Sequence, residues 1–240
     1  MFKKIISFVA LLSTFFMLVH PTISSADNTS LESDDRLSRD NYNKLIDEGV
    51  LNEDVEYEEW VELNDESLFE ELDEKYPVSD ENKNSTQAVS LKPGDVLVSN
   101  RTSSKGLTGH AGIVLNDGKV LHIAGLKSKP AVISEVSWKR KYGQMLGDQS
   151  INTKVFRVNS SSGQAAAAAT WAKNAYQGKD YSYGFGDTIT ATNPTYCSKI
   201  VWQSYNYVGL VNRPSNIIVM PYSLPDYFKD SAGIRQVGTI

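Results

Sequence analysis

A predicted β-hairpin constrains the fold of this chain more than any other feature. HAGIVL (110–115) and KVLHIA (119–124) are apolar and rich in β-branched residues, and a short loop with a glycine joins them. With a two-residue turn, the alternation of side chains would put His110 and His122 on opposite faces. A three-residue loop over 116–118 puts both histidines on one face and the large apolar residues on the other. We therefore predict the three-residue loop and two neighbouring imidazoles.

The rest of residues 89–240 predicts further strands and two helices. Strand patterns recur at 95–99, 131–136, 154–158, 217–220 and 234–240. An alanine-rich helix is predicted to end at Gly178, and a second helix runs from Cys197 to Gly209. The 240 residues contain one cysteine, so no intrachain disulfide holds the fold. This mixture predicts an α+β domain.

The first 26 residues have the pattern of a secretory signal peptide. Two lysines precede an apolar run over 5–19, and small residues end the stretch at Ala26. The alternative is a membrane anchor, but the run is shorter than the about 20 residues that a spanning helix needs. No later stretch has the length and apolar content to cross a bilayer. We expect cleavage after Ala26 and a secreted protein, extracellular or associated with the cell wall, without a transmembrane span.

Charge divides the remaining chain at about residue 88. Residues 27–88 carry 21 acidic and 5 basic side chains, whereas residues 89–240 carry 8 acidic and 17 basic ones. The acidic segment has helical patterns whose apolar stripe consists of Trp60, Leu63, Leu68, Phe69 and Leu72. Such a segment lacks the apolar content for a core of its own, and the polar stretch 79–90 is predicted to be a linker. Residues 27–88 are therefore either a partly disordered spacer or a pro-segment that docks on the basic domain through charge and the stripe.

Cys197 is the residue type that completes a site with two imidazoles. At a helix N-terminus its thiolate would be stabilised by unpaired N–H groups, by the helix dipole and by a neighbouring imidazolium. We therefore expect a thiol pKa below its usual value of about 8.5. The thiolate would attack an acyl carbon while His110 exchanges protons and His122 orients His110. The backbone N–H of Cys197 is a candidate oxyanion donor.

Five motifs between residues 91 and 228 resemble those of one protein family. They are PGDVLVS (93–99), GHAGIVL (109–115), GKDYSYGF (178–185), TYCSKIVWQSY (195–205) and MPYSLPDYF (220–228). In this order they are similar to the permuted papain-like proteins of the YiiX/YaeF/YycO group, which are circularly permuted relatives of the NlpC-type cell-wall peptidases. The secreted layout is most similar to Bacillus-type YycO. The resemblance implies a circularly permuted papain-like domain at 89–240, with an antiparallel sheet packed against helices and the nucleophile at a helix N-terminus.

The same resemblance implies roles for individual residues. Cys197 would be the nucleophile, His110 the base and His122 the third polar residue. Tyr181 matches the tyrosine of the family's GKPY motif and would line the site near the nucleophile, as a substrate-binding residue. The twelve-residue step between the histidines also resembles that of lecithin retinol acyltransferase-like enzymes.

Two positions qualify these assignments. Lys199 stands two residues after the cysteine, where the family often has glutamate. The third polar residue of close relatives can be a carboxylate, so Glu135 competes with His122. The resemblance therefore implies a reaction type more firmly than a substrate.

The leading functional hypothesis is a secreted cysteine hydrolase that cleaves amide bonds through a thioester acyl-enzyme, with cell-wall peptide as the first substrate. An acyltransferase or lipid esterase with the same Cys-His site is the alternative among enzymes. Two other classes remain: a zinc-binding protein with Cys197, His110 and His122 as ligands, and a non-catalytic wall-binding module. The hydrolase needs no cofactor or metal ion. A net charge of +9 on residues 89–240 suits an anionic polymer such as a cell wall, and no nucleic-acid-binding motif accompanies that charge.

Overall fold

The computed structural model describes residues 35–79, 89–102, 106–144, 150–159, 162–186, 188–214 and 218–240. The predicted signal peptide (1–26) and most of the predicted linker (79–90) lie outside these ranges. The described residues form one compact unit. Among the described helices, none combines the length and the apolar character that a bilayer crossing requires.

Within the described ranges, six antiparallel strands form one sheet at the centre of the fold. They are β1 (Val96–Ser99), β2 (His110–Val114), β3 (Val120–His122), β4 (Ala131–Ile133), β5 (Thr153–Arg157) and β6 (Arg235–Thr239). Their order across the sheet is β4-β3-β2-β1-β5-β6. The predicted α+β class is confirmed, and the antiparallel sheet with its helices is compatible with a papain-like fold. β6 lies in the predicted strand 234–240, whereas residues 218–220 are not a strand.

Six α-helices pack around this sheet in the same ranges. They are α1 (Arg39–Asp47), α2 (Tyr57–Leu63), α3 (Leu68–Lys75), α4 (Glu135–Tyr142), α5 (Ser162–Tyr176) and α6 (Cys197–Tyr207). α5 and α6 pack on the sheet face that carries Ala111, Ile113 and Leu121. α4 covers the opposite face, where Trp138 packs with Val114. The sheet is therefore a central layer with helices on both sides.

The β2–β3 hairpin has the predicted loop. The Leu115 N–H donates to the Lys119 carbonyl at 2.7 Å across three loop residues. Gly118 has a φ of +75°, the left-handed conformation that this loop requires. The observed strand register follows from this loop, and it puts His110 and His122 on one face of the sheet.

The predicted strand over 131–136 is wrong in its second half. β4 ends at Ile133, and the Ser134 hydroxyl accepts a hydrogen bond of 3.1 Å from the Ser137 N–H. This is a helix N-cap, so the chain turns into α4 at Glu135. The apolar pattern that begins in β4 continues past Ser134 to Val136, so the sequence pattern extended the strand beyond the helix N-cap.

Helices α1–α3 of the acidic segment belong to the main core. Trp60, Phe69 and Leu72 of the predicted stripe are buried, and Leu63 and Leu68 are partly buried. These side chains share one apolar cluster with the sheet and with α6. The segment thus contributes to the same core as the strands that carry the histidines.

Hydrogen bonds tie the acidic segment to the loop that leads into β2. Trp60 Nε1 donates to the Gly106 carbonyl at 3.0 Å. The Thr108 N–H donates to Asn64 Oδ1 at 2.6 Å. Both contacts are buried, so they hold α2 against the residues immediately before His110.

Charge has a smaller part in this contact than the opposite net charges predict. Lys154 is buried, with Nζ 3.0 Å from Asp73 Oδ2 and 4.2 Å from the centre of the Phe69 ring. In a second pair, Lys75 of the acidic segment lies 2.6 Å from Asp226, so there the segment supplies the cation. The exposed Lys75–Asp226 pair contributes about 0–1 kcal/mol, so apolar burial dominates the attachment.

Candidate active site

His110 and His122 form a buried pair at one end of the sheet. His110 is the first residue of β2, and His122 is the last residue of β3. His110 Nε2 lies 2.9 Å from His122 Nδ1, and the two rings are perpendicular. Their exposed fractions are 0% and 3%. The strand register has turned a twelve-residue spacing into a direct hydrogen bond.

Two aromatic side chains of α4 cover the imidazoles. The Tyr142 ring stacks on His110 with centroids 4.2 Å apart, and Trp138 stacks at 5.4 Å. Gly112 makes room for this cover, because a Cβ at that position would lie 2.8 Å from the Trp138 ring. Ser99 Oγ donates to the Tyr142 carbonyl at 2.6 Å and anchors the end of α4. The small-residue face beside the histidines is therefore filled by α4.

Cys197 is the first residue of α6, and its side chain is 1% exposed. Hydrogen bonding from the backbone at Ala111, Ser198 and Cys197 and from the Ser198 side chain favours the thiolate and lowers the pKa of the thiol. Ala111 follows His110 in β2, so the thiol and the imidazole meet the same end of that strand. They approach it from different sides: Cys197 shares the apolar cluster of Ala111 under α6, whereas His110 stacks under α4.

Burial determines the protonation of all three groups. It raises the pKa of the Cys197 thiol to about 11, against the opposing effect of the hydrogen bonds. Burial, then His122 and then Lys141, hold the pKa of His110 well below 6.5. Burial and Lys141 lower the pKa of His122 to about 4. At pH 7 the closed site thus holds a neutral thiol and two neutral imidazoles, and the expected thiol pKa below about 8.5 is wrong for this state.

Tyr181 lies near the C-terminal end of α5. It is half-buried, and its ring packs edge-on against Tyr176 with centroids 5.9 Å apart. The aromatic residue next to the thiol is Tyr196, whose ring packs on Phe185 at 4.8 Å. The observed contact of Tyr181 is aromatic packing, and its part in substrate binding stays a prediction.

Lys199, the departure from the resembling family, fastens the chain that precedes Cys197. Its buried Nζ donates to the carbonyls of Thr188 and Pro194 at 2.9 and 3.0 Å. One helical turn further on, Gln203 Nε2 donates to the carbonyls of residues 189 and 191. Burial lowers the pKa of Lys199 to about 8. A glutamate could not donate these bonds, so the lysine suits a loop that presents carbonyl groups to α6.

Glu135 and the zinc alternative can be compared with the same geometry. Glu135 begins α4 and pairs with Lys139, with Oε1 and Nζ 2.6 Å apart. The structure therefore places His122, not Glu135, against His110.

In the described part of the chain, no three His, Cys, Asp or Glu side chains come together as a metal site would require. The three ligands suggested for zinc thus gain no support from their positions.

Sequence reasoning missed the residues of α4 that surround the imidazoles. Trp138 and Tyr142 are four residues apart, so they lie on one helical face. Lys141 lies next to Tyr142, with Nζ 5.2 Å from the centre of the Tyr142 ring. The available signal was Ser134, an N-cap residue directly before EVSWKRKY.

Comparison with known proteins identifies one family and one similar protein. A family model described as "Lipoprotein N-acylation protein LnsA-like" matches residues 63–240. The chain is also similar to an "Uncharacterized 30.3 kDa protein" of Bacillus thuringiensis, at 31% identity over 237 residues, covering 78% of this chain and 83% of that protein. No solved structure matches the chain. The matched region includes α3 of the acidic segment as well as the histidines and Cys197.

Proposed function

Because the chain belongs to the LnsA-like family of lipoprotein N-acylation proteins, we propose that it carries a fatty acyl group as a thioester on Cys197 and passes it to an amine. The family implies an enzyme that acts on acyl groups. The observation that supports the thioester is the position of Cys197 at the start of α6, where the first backbone N–H groups have no partner within the helix. These N–H groups, that of Cys197 among them, are candidate donors to an oxyanion formed beside the sulfur.

The proposed first step starts from neutral groups. Once the covering side chains are displaced and the imidazole comes within hydrogen-bond reach of the thiol, His110 accepts the thiol proton as Cys197 Sγ attacks the acyl carbonyl carbon. It returns that proton to the departing oxygen when the acyl–oxygen bond breaks. In this mechanism His110 Nε2–H donates to His122 Nδ1, and His110 Nδ1 is the nitrogen that accepts the proton. His122 thus holds the tautomer that the base needs.

The second step transfers the acyl group to its acceptor. An amine attacks the thioester carbon, its proton passes to His110, and the proton then returns to the departing Cys197 thiolate. The amine would come from a lipoprotein N-terminus, as the family description indicates. Because Cys197 and His110 are buried at rest, acyl binding is coupled to displacement of the side chains that cover them.

The cysteine amidase hypothesis uses the same acyl-enzyme with a different donor and acceptor. There an amide such as a cell-wall peptide donates the acyl group, and water accepts it. A circularly permuted papain-like fold of the YiiX/YaeF/YycO type, a catalytic role for Cys197 and an exported location belong to the same proposal. The order of His110 before Cys197 along the chain supports the permuted arrangement.

Detection of the thioester tests this proposal. The chain from residue 27 onward is incubated with a phospholipid whose fatty acid carries an alkyne, and protein-bound label is measured before and after neutral hydroxylamine. We expect hydroxylamine-labile label on the wild type, none on Cys197→Ala, and at least a hundredfold slower labelling of His110→Gln. Ser204→Ala is the matched control, because this hydroxyl bonds the Ile200 carbonyl within α6 and is remote from the thiol. Equal labelling of Cys197→Ala and wild type would contradict the mechanism.

The acceptor is identified by adding a diacylated lipopeptide with a free amine, or a muropeptide, to the labelled protein. Amide-linked acyl on the lipopeptide supports the transferase. Free fatty acid as the sole product indicates a lipid esterase, and cleavage of the muropeptide indicates the amidase. Product masses distinguish the three reactions.

A further inference from the structure

We propose that one surface of this protein docks on an anionic lipid bilayer. The inference rests on the proposed function, because an enzyme that takes acyl groups from lipids must meet them at a membrane surface. The surface, here called the basic–apolar face, consists of the exposed side of α4 and the β3–β4 loop, and these two elements come together at the histidine pair, where α4 ends and the loop begins. Its residues are Leu126, Lys127, Lys129, Val136, Arg140 and Lys141.

The apolar part of this face is exposed to solvent. Leu126 in the β3–β4 loop is 37% exposed, and Val136 on α4 is 49% exposed. Together with Tyr207 they are the exposed large apolar side chains of the described residues. A single exposed apolar residue is ordinary, but apolar side chains beside several basic ones are typical of surfaces that insert between lipid headgroups.

The charged part of the face is predominantly basic. Exposed cations lie in the β3–β4 loop and in the last turn of α4: Lys127, Lys129, Arg140 and Lys141. Two carboxylates lie among them, and each is already paired: Asp180 with Lys129 and Glu135 with Lys139, both at 2.6 Å. The face therefore keeps a net positive charge within a region whose net charge is +9, which is complementary to anionic lipid headgroups.

The basic–apolar face adjoins the histidine pair. The β3–β4 loop begins directly after His122, the last residue of β3. The other half of the face ends at Lys141, and the next residue, Tyr142, stacks on His110 at 4.2 Å. A bilayer held against this face would thus present its lipids beside the end of the sheet that carries His110 and His122.

The opposite end of the strands offers a matched control. Lys92, Lys119 and Lys173 are exposed there, near the β2–β3 loop. Asn116 of that loop bonds Thr170 of α5 at 2.7 Å, which fixes the neighbourhood of Lys173. Reversal of these three charges changes the net charge as much as reversal of Lys127, Lys129 and Arg140.

Vesicle co-sedimentation tests the proposal. The chain from residue 27 onward, carrying Cys197→Ala to prevent turnover, is mixed with vesicles of phosphatidylcholine alone or with 30% phosphatidylglycerol. We expect binding to the anionic vesicles that weakens with salt. Lys127→Glu/Lys129→Glu/Arg140→Glu should weaken it by more than roughly 100-fold, because the loss of each basic residue near an anionic surface costs about a fivefold factor and the three added carboxylates are repelled as well. The control variant Lys92→Glu/Lys119→Glu/Lys173→Glu should bind nearly as the wild type does.

Three results would overturn the inference. The first is no binding of the parent protein to anionic vesicles, and the second is an equal loss of binding in the two triple variants. The third is vesicle binding that is unchanged when Leu126 and Val136 are both replaced by serine but is fully inhibited by a soluble polyanion. The last result would mean that the face takes an anionic polymer. Thioester formation from a soluble short-chain acyl donor, measured with Cys197 intact, should be equal in wild type and the Lys127/Lys129/Arg140 variant. If the wild type does not form the thioester, the proposed function is refuted. If the thioester forms but the protein does not bind vesicles, only the docking face is refuted.

Discussion

Replacement of Trp60 by alanine should destabilise the whole molecule. Trp60 is 1% exposed, and its Nε1 donates to the Gly106 carbonyl at 3.0 Å. A buried tryptophan removes about 200 Å² from water, which is worth about 5 kcal/mol at about 25 cal/mol per Å². Loss of the hydrogen bond adds about 1 kcal/mol, and partial collapse of the cavity offsets part of the total. We expect a loss of about 4–5 kcal/mol, a large share of the about 5–15 kcal/mol that stabilises a typical domain.

Urea unfolding of the chain from residue 27 onward, followed by circular dichroism, measures this loss. Tyr207→Ala is the matched control, because this aromatic side chain is 65% exposed and its removal should cost less than about 1 kcal/mol. A small loss of stability in Trp60→Ala, together with faster acyl labelling, would refute the reasoning. That result would instead support a detachable pro-segment whose anchor is Trp60.

Three further predictions address the site. Gly112→Ala should destabilise the protein by about 1–3 kcal/mol, because the added methyl group would overlap Trp138, and urea unfolding against wild type measures it. Iodoacetamide should label Cys197 slowly at pH 7, and the labelling rate should rise toward pH 11, because burial raises the pKa of the thiol to about 11. A midpoint of the labelling rate below pH 8.5 would contradict the buried thiol. The pKa of His122 is lowered to about 4, so between pH 6.5 and pH 4 the unfolded chain takes up a proton at His122 that the folded protein does not. The free energy of unfolding should therefore fall by roughly 3 kcal/mol as the pH decreases from above 6.5 to 4. Urea unfolding should show this part of the loss in wild type and not in His122→Gln.

The histidine pair was predictable because strand geometry is local. Side chains alternate with a period of two, so the segregation of apolar residues selected the three-residue loop and brought His110 and His122 together. The start of α6 at Cys197 was equally predictable, since it follows from a change of periodicity within a few residues. Both inferences needed only neighbours in the chain.

What covers these residues was decided by the tertiary structure. β4 has three residues, too few for its side-chain pattern to be distinguished from that of the first turn of α4. The residues near Trp138 and Tyr142 in sequence do not show that these two rings stack on His110. The shift in the pKa of Cys197 depends on the number of atoms that exclude water from it, and those atoms come from segments far apart in sequence.

The acidic segment shows the same division. Its charge and its apolar stripe were evident from the sequence by itself, and they predicted contact with the basic domain. Only the tertiary structure shows that Trp60 and Phe69 enter the same core as the sheet, and that Lys154 is buried against Asp73. The sequence of a segment shows how many apolar side chains it has. Whether those side chains are buried depends on a complementary surface formed by residues distant in sequence, and that surface exists only in the folded chain.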